Sequence, residues 1–144
     1  MLPGVLLIVQ IPRVTDFEKG LPSVMLERDG NLEQEGFDDE ISLVFNVARK
    51  GLVILTACAH TGIVNIVKQA VKFTGVEKVH AILGGFHLIG APKEKIMKTI
   101  EGLKLYAPQF LVPMHCTGFQ ALKMFADSMP EEFVLYSTGS RFIF

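Results

Sequence analysis

From Ile41 onward, apolar positions along the chain alternate between strand spacing and helix spacing, and the changes mark the elements. Ile41 to Val47 and Leu52 to Leu55 are strand-like runs joined by Ala48-Arg49-Lys50-Gly51, which predicts a hairpin. Ile63, Ile66, Val67, Ala70 and Val71 recur at helical spacing, and Gly75 supplies a stop. Val79 to Leu83 reads as a strand. Pro92 then suits the first turn of a helix whose apolar face is Ile96, Ile100, Leu103 and Leu105. Phe110 to Val112 is a further strand, followed by a helix over Ala121 to Ala126, and Phe133 to Tyr136 and Arg141 to Phe144 close the chain as strands. The first forty residues are irregular by comparison. Val5 to Val9 is a short strand that Pro12 interrupts, Asp29-Gly30-Asn31 is a turn, and 27–40 is an exposed loop, acidic from Glu33 to Glu40. Strands alternating with helices give an α/β class with parallel pairing in the later part. No repeat, linker or low-complexity segment interrupts it.

Composition narrows the picture. A chain of 144 residues is expected to form a single domain over 1–144, long enough to bury a core. At 49% hydrophobic and 20% charged it is a folded chain, and more apolar than its size requires. A sheet buried on both faces would account for that surplus, and so would a surface made for a partner chain. The net charge of −1 gives no electrostatic reason to expect nucleic acid or an anionic membrane. The longest apolar runs fall far below the roughly 20 residues of a spanning helix, so no membrane is expected. Met1-Leu2-Pro3-Gly4 carries no basic region before an apolar stretch, which argues against a signal peptide. Two cysteines, Cys58 and Cys116, make no disulfide framework, and a reducing, cytoplasmic setting follows.

The informative chemistry is where the histidines fall. His60 follows one strand by a few residues and precedes a helix; His87 and His115 stand in the equivalent places after the next two strands. With those strands parallel, all three lie at the carboxyl edge of the sheet, where open α/β sheets bind ligands. A single strand-end histidine is an ordinary packing residue, whereas three in register point to a shared polar site. Imidazole is a strong ligand for zinc and similar ions, and three ligands plus water make a catalytic site. Cys58 and Cys116 adjoin two of the histidines and either supply thiolates or fill space as small hydrophobes. The helix starts after His60 and His115 offer amides to an anion, which places a substrate against Thr61, Gly62, Gly85, Thr117 and Gly118. His80, inside a strand, is structural, and Ser137 to Arg141 is a turn or a phosphate grip. Dinucleotide, P-loop and Gly-x-Ser-x-Gly signatures do not occur.

Thr56-Ala57-Cys58-Ala59-His60-Thr61-Gly62-Ile63-Val64-Asn65 resembles the Thr-Gly-Cys-Ser/Ala-His-x-Gly-Ile-x-Asn signature of a metallo-β-lactamase subgroup. That subgroup is labelled 7,8-dihydropterin-6-methyl-4-(β-D-ribofuranosyl)aminobenzene-5′-phosphate synthase-like. Gly84-Gly85-Phe86-His87-Leu88 and His115-Cys116-Thr117-Gly118 match two further blocks in order. Ile11 to Gly20 is similar to the family's Ile-Pro-Arg-x-Thr-x-Phe-Glu segment, and Asp38-Asp39-Glu40 matches its acidic stretch. Gln10 stands where the family more usually has an acidic residue, and Ala57 replaces its usual glycine.

The resemblance implies half of an αββα sandwich, a mixed sheet with strand–helix units in its second part, equivalent to the family's carboxyl-terminal half. It implies a metal-dependent hydrolase acting on a phosphoester-type or pterin-related small molecule. His60 and His115 match metal ligands, His87 a ligand or substrate contact, and Cys58 is a weaker candidate ligand. The metal would be zinc, with manganese or iron as alternatives, held weakly or not at all by the chain alone. The family's main signature, His-x-His-x-Asp-His, belongs to the other half and is absent from this sequence. Little or no activity is therefore expected without a partner chain carrying that half; self-association into a homo-oligomer is the other way to cover the open sheet face. The competing expectation is a non-catalytic module that binds a small anion or only oligomerises.

Overall fold

The structure, a computed structural model, describes residues 4–21 and 23–144. The start at Met1 to Pro3, read above for a signal peptide, lies outside the described residues. The elements run β1 (Val5–Ile8), β2 (Met25–Arg28), β3 (Asn31–Gln34), β4 (Ser42–Val47), β5 (Gly51–Thr56), α1 (Ile63–Thr74), β6 (Val79–Gly85), α2 (Lys93–Lys104), β7 (Phe110–Met114) and α3 (Phe119–Ser128). A five-stranded sheet has the order β1-β4-β5-β6-β7, and β2-β3 form a separate hairpin. β1, β4 and β5 pair antiparallel, while β5, β6 and β7 pair parallel, so the mixed sheet has the strand–helix units in its second part.

The helices pack on one face because their apolar stripes match the inward residues of the strands. Ile63, Ile66 and Val67 of α1, Ile96 and Ile100 of α2 and Phe125 of α3 share a core with Val44, Ile54, Ile82 and Leu111 of the sheet. Gly75 ends α1 with a left-handed φ of 68° that lets its N–H reach the Val71 carbonyl at 2.9 Å. Pro92 caps the start of α2 from an extended conformation.

The opposite face is apolar as well, and its residues stand in register. One row runs Leu7–Leu43–Leu55–Leu83–Val112 across all five strands, and the next runs Val5–Phe45–Val53–Ala81–Phe110. The segment after Phe133 covers the β6–β7 end of these rows with Val134, Tyr136, Phe142 and Phe144. Toward β1 the cover stops: Leu7 is 62% exposed and Leu55 37%. An open groove of 540 Å³ lies between, lined by Phe45, Val53, Leu55, Leu83, Met114 and Phe142.

Two expectations need correcting. Phe133 to Tyr136 and Arg141 to Phe144 are not strands: a single bridge joins Phe133 to Leu111. Leu111 uses both backbone groups at that edge, donating to the Glu132 carbonyl at 2.7 Å and accepting from the Val134 N–H at 2.8 Å. Pro113, two residues on and facing the same way, has no N–H to continue the ladder. The segment 27–40 is exposed up to Gln34, but the β2–β3 hairpin occupies much of it, turning at Asp29-Gly30. The hairpin escapes a reading by alternation because almost none of its residues is buried.

The irregular first part is fastened to the regular part by one buried carboxylate. Glu18 accepts hydrogen bonds from the Val64 and Asn65 N–H groups at the start of α1, each at 3.0 Å, and from the Thr15 hydroxyl at 3.1 Å. Asn65 completes the joint, its Oδ1 accepting from the Val14 and Thr15 N–H groups at 3.0 Å. Gly62 makes room, since a Cβ there would stand 2.3 Å from the Glu18 carboxyl carbon. Burial pushes the Glu18 pKa up, while the two amides, Thr15 and Lys95 pull it down. Glu18→Ala leaves two buried helix amides without acceptors, an expected loss of about 1–3 kcal/mol in denaturant unfolding. A loss within experimental error would mean that the apolar contacts of Ile11 and Phe17 hold the segment without it.

Candidate metal centre

Three loops leave adjacent parallel strands at one edge of the sheet: 57–62 after β5, Phe86-His87 after β6, and 115–118 after β7. They come together because β6 ends in two glycines. The Gly85 N–H donates to the Ala57 carbonyl at 2.8 Å, which carries the β5–β6 pairing past the end of β5. A Cβ on Gly84 would lie 2.1 Å from the Thr56 carbonyl oxygen, and one on Gly85 2.7 Å from both the Ala57 carbonyl and the Cys116 Sγ. Ala59, His87 and His115 all hold left-handed backbone, with φ of 56°, 46° and 46°. Such conformations cost on the order of 1–3 kcal/mol each in non-glycine residues, and they cluster at functional sites.

The three histidines divide into two groups. The His60 and His87 rings meet edge to face with centroids 4.7 Å apart, and Phe37 packs against His60 at 4.4 Å. His60 Nδ1 stands 3.7 Å from Glu40 Oε1. His87 Nδ1 is buried and finds no hydrogen-bond partner among the described residues. Burial pushes the His87 pKa down, and His60, Lys95 and His115 push it the same way against Glu40. At neutral pH its imidazole is therefore uncharged, the form that can coordinate a cation. His115 sits instead with the two cysteines: one ligand atom each from Cys58, His115 and Cys116 lie within 4.8 Å of one another. The Cys116 thiol donates to the Cys58 carbonyl at 3.5 Å, and burial pushes its pKa up. Both thiols are free. Imidazole nitrogens and thiol sulfurs at one edge, one nitrogen of them buried and unpartnered, form a donor set that fits a divalent cation.

The expected anion contacts lie at this edge, but their polar groups have partners within the chain. The Thr61 N–H donates to Glu40 at 2.8 Å and the His60 N–H at 2.5 Å, and the Thr61 hydroxyl also donates to Glu40. With Glu18 on the Val64 and Asn65 amides, the start of α1 is occupied by the chain's own carboxylates. The buried Thr117 hydroxyl donates to the Met114 carbonyl at 2.6 Å and accepts from the Phe86 N–H at 3.1 Å. Gly118 starts α3 at a φ of 82°, pressed so closely on Ile89 that a Cβ would meet its Cα at 2.9 Å. A small cleft beside this shell is lined by His60, His87 and Lys95, and the Lys95 charge acts on the His87 imidazole. His80 lies elsewhere, buried edge-on against Phe110 and Phe144 on the outer face. Ser137 to Ser140 is a turn closed by its own hydrogen bonds. Sequence patterns point to none of the work done by Glu18 and Glu40. The backbone amides they accept from lie 20 to 47 residues away, beyond any local period.

No family profile matches the chain. A curated relative from Methanocaldococcus jannaschii, a 7,8-dihydropterin-6-methyl-4-(β-D-ribofuranosyl)-aminobenzene-5′-phosphate synthase, is 39% identical over 143 residues. The match takes in 96% of this chain and 48% of the relative. An uncharacterized protein of the same organism is 31% identical over 112 residues, 78% of this chain and 40% of its own length. Among solved structures, Tm1679, a metal-dependent hydrolase of the β-lactamase superfamily, superposes with a TM-score of 0.81 at 26% identity. That superposition covers 94% of this chain and 52% of the other. The chain thus spans about half the length of the proteins it matches. With sequence likeness over nearly all its residues and a shared fold, the chain belongs to the metallo-β-lactamase-fold superfamily, in the group that includes the dihydropterin synthase relative.

Proposed function

We propose that this chain is the carboxyl-terminal portion of a metal-dependent hydrolase-fold enzyme for a phosphoester-type or pterin-related small molecule, active when joined by a half bearing His-x-His-x-Asp-His. The observation that carries the reading is the placement of the His60–His87 pair and of His115, beside Cys58 and Cys116, at the ends of three adjacent strands, with a buried, unpartnered nitrogen on His87. His60 and His115 are the metal ligands in this reading, and His87 is a ligand or a substrate contact. A divalent cation, when bound, lowers the pKa of a water and polarises the phosphoryl oxygen. Glu40 holds the loop that carries His60 and sets its ring against His87. Lys95, beside the pair, is suited to a substrate phosphate. Zinc is favoured by the imidazole and thiol donors over manganese or iron. Two free thiols accord with a cytoplasmic setting, and no helix among the described residues is long and apolar enough to cross a membrane.

A half bearing His-x-His-x-Asp-His would cover the outer apolar rows. Support comes from their exposure toward β1 and from relatives about twice as long. The same exposure favours a second reading, in which two copies of this chain pair through that face with no catalytic role. Mixing the purified chain with a chain carrying His-x-His-x-Asp-His is expected to yield chelator-sensitive turnover of an aryl phosphodiester. His60→Ala or His115→Ala should reduce that turnover at least about a hundredfold, the scale of losing a direct metal contact rather than a supporting one. A stable complex without turnover would sink the enzymatic reading. Leu55→Glu places a charge on the outer face without entering the helix-covered core, and is expected to abolish association by light scattering with the thermal transition little changed. Association that survives it would move the interface elsewhere.

A further inference from the structure

We propose that Cys58, His115 and Cys116 form a thiolate-rich site that takes a thiophilic divalent cation, zinc in the first instance, on this chain by itself. The inference shares His115 with the enzymatic reading and otherwise does not depend on the other half. Zinc bonds of about 2.3 Å to sulfur in tetrahedral geometry place two sulfurs about 3.8 Å apart. The three donor atoms already lie within 4.8 Å of one another, so side-chain movements of about an ångström close the site. Two thiolates neutralise the cation and His115 adds a third ligand, leaving the fourth position open to water.

The surroundings are arranged for this cluster. Gly85 has no Cβ where the Cys116 Sγ sits, and any larger residue would collide with that sulfur at 2.7 Å. Left-handed backbone at Ala59, directly after Cys58, and at His115 itself turns both loops at the point where they meet. The backbone around the cluster is pinned: the His115 N–H donates to the Tyr136 hydroxyl at 2.9 Å, and the Cys116 carbonyl accepts from the Ile89 N–H at 3.1 Å. His60 and His87, paired with each other, are a separate donor group. Soft sulfur donors select zinc, cobalt and cadmium over magnesium and manganese. The ion preference of this chain is therefore set by its cysteines.

The test is a titration of the full chain, kept reduced under anaerobic conditions, with Co²⁺. A saturable sulfur-to-cobalt charge-transfer band in the near ultraviolet is expected, together with strong tetrahedral visible bands. Zn²⁺ and Cd²⁺ should displace the cobalt and Mn²⁺ should not. Cys58→Ser and Cys116→Ser should each reduce the charge-transfer band, and the double variant should lose it. Cadmium NMR of the unsubstituted chain reads the same thiolates without any substitution and guards against a variant that misfolds. Absence of the band in the unsubstituted chain, or its survival in the double cysteine variant, would overturn the site. Reconstituted turnover without the band leaves the enzymatic reading standing and removes this one, whereas the band without turnover does the reverse.

Discussion

Everything at the candidate centre hangs on how closely the glycine end of β6 approaches the loop after β5. One backbone hydrogen bond, from the Gly85 N–H to the Ala57 carbonyl, prolongs the parallel pairing beyond the last residue of β5. That contact brings Cys58 over Gly85, and the missing side chain at Gly85 admits the Cys116 sulfur from the third strand. A methyl group at this one position would separate all three loops. Close packing of backbone against backbone, rather than any attraction between the polar side chains, is what assembles the site.

Placement of the histidines was legible because each follows an apolar run and precedes a helix, and chain order then puts all three on one edge. Their partition was not legible. Left-handed turns at Ala59, His87 and His115 aim the rings, and nothing in the identity of alanine or histidine announces such a turn. The elements from β4 to α3 followed from spacing, since each buries a stripe or a face in the helix-covered core, although Leu105, read onto the apolar face of α2, lies past its end and is exposed. The β2–β3 hairpin buries almost nothing, so it left no alternation to read. Phe142 and Phe144 look like strand residues by composition. They serve instead as apolar cover, because burying an aromatic ring requires no ladder of hydrogen bonds. The carboxylates of Glu18 and Glu40 pair with amides far along the chain, and only the folded geometry reveals them.

The two faces of the sheet explain the composition. Helices bury one face fully, while on the other the paired rows of leucine, valine and phenylalanine are only partly covered by the final segment. Part of the high apolar content read at the outset thus has a location, with Val5, Leu7 and Leu55 standing exposed on the outer rows of β1 and β5.

The proline in β7 bears on how such a molecule can meet its neighbours. Sheet edges with free donors and acceptors invite further strands, and ribbons of many chains grow by that route. At β7 the one usable residue, Leu111, is already spent on the chain's own tail, and Pro113 has no donor to offer. Stacking face against face remains open while lateral extension past β7 is closed. An apolar sheet can thus wait for a cover on its flat side without serving, along this edge, as a template for amyloid-like growth.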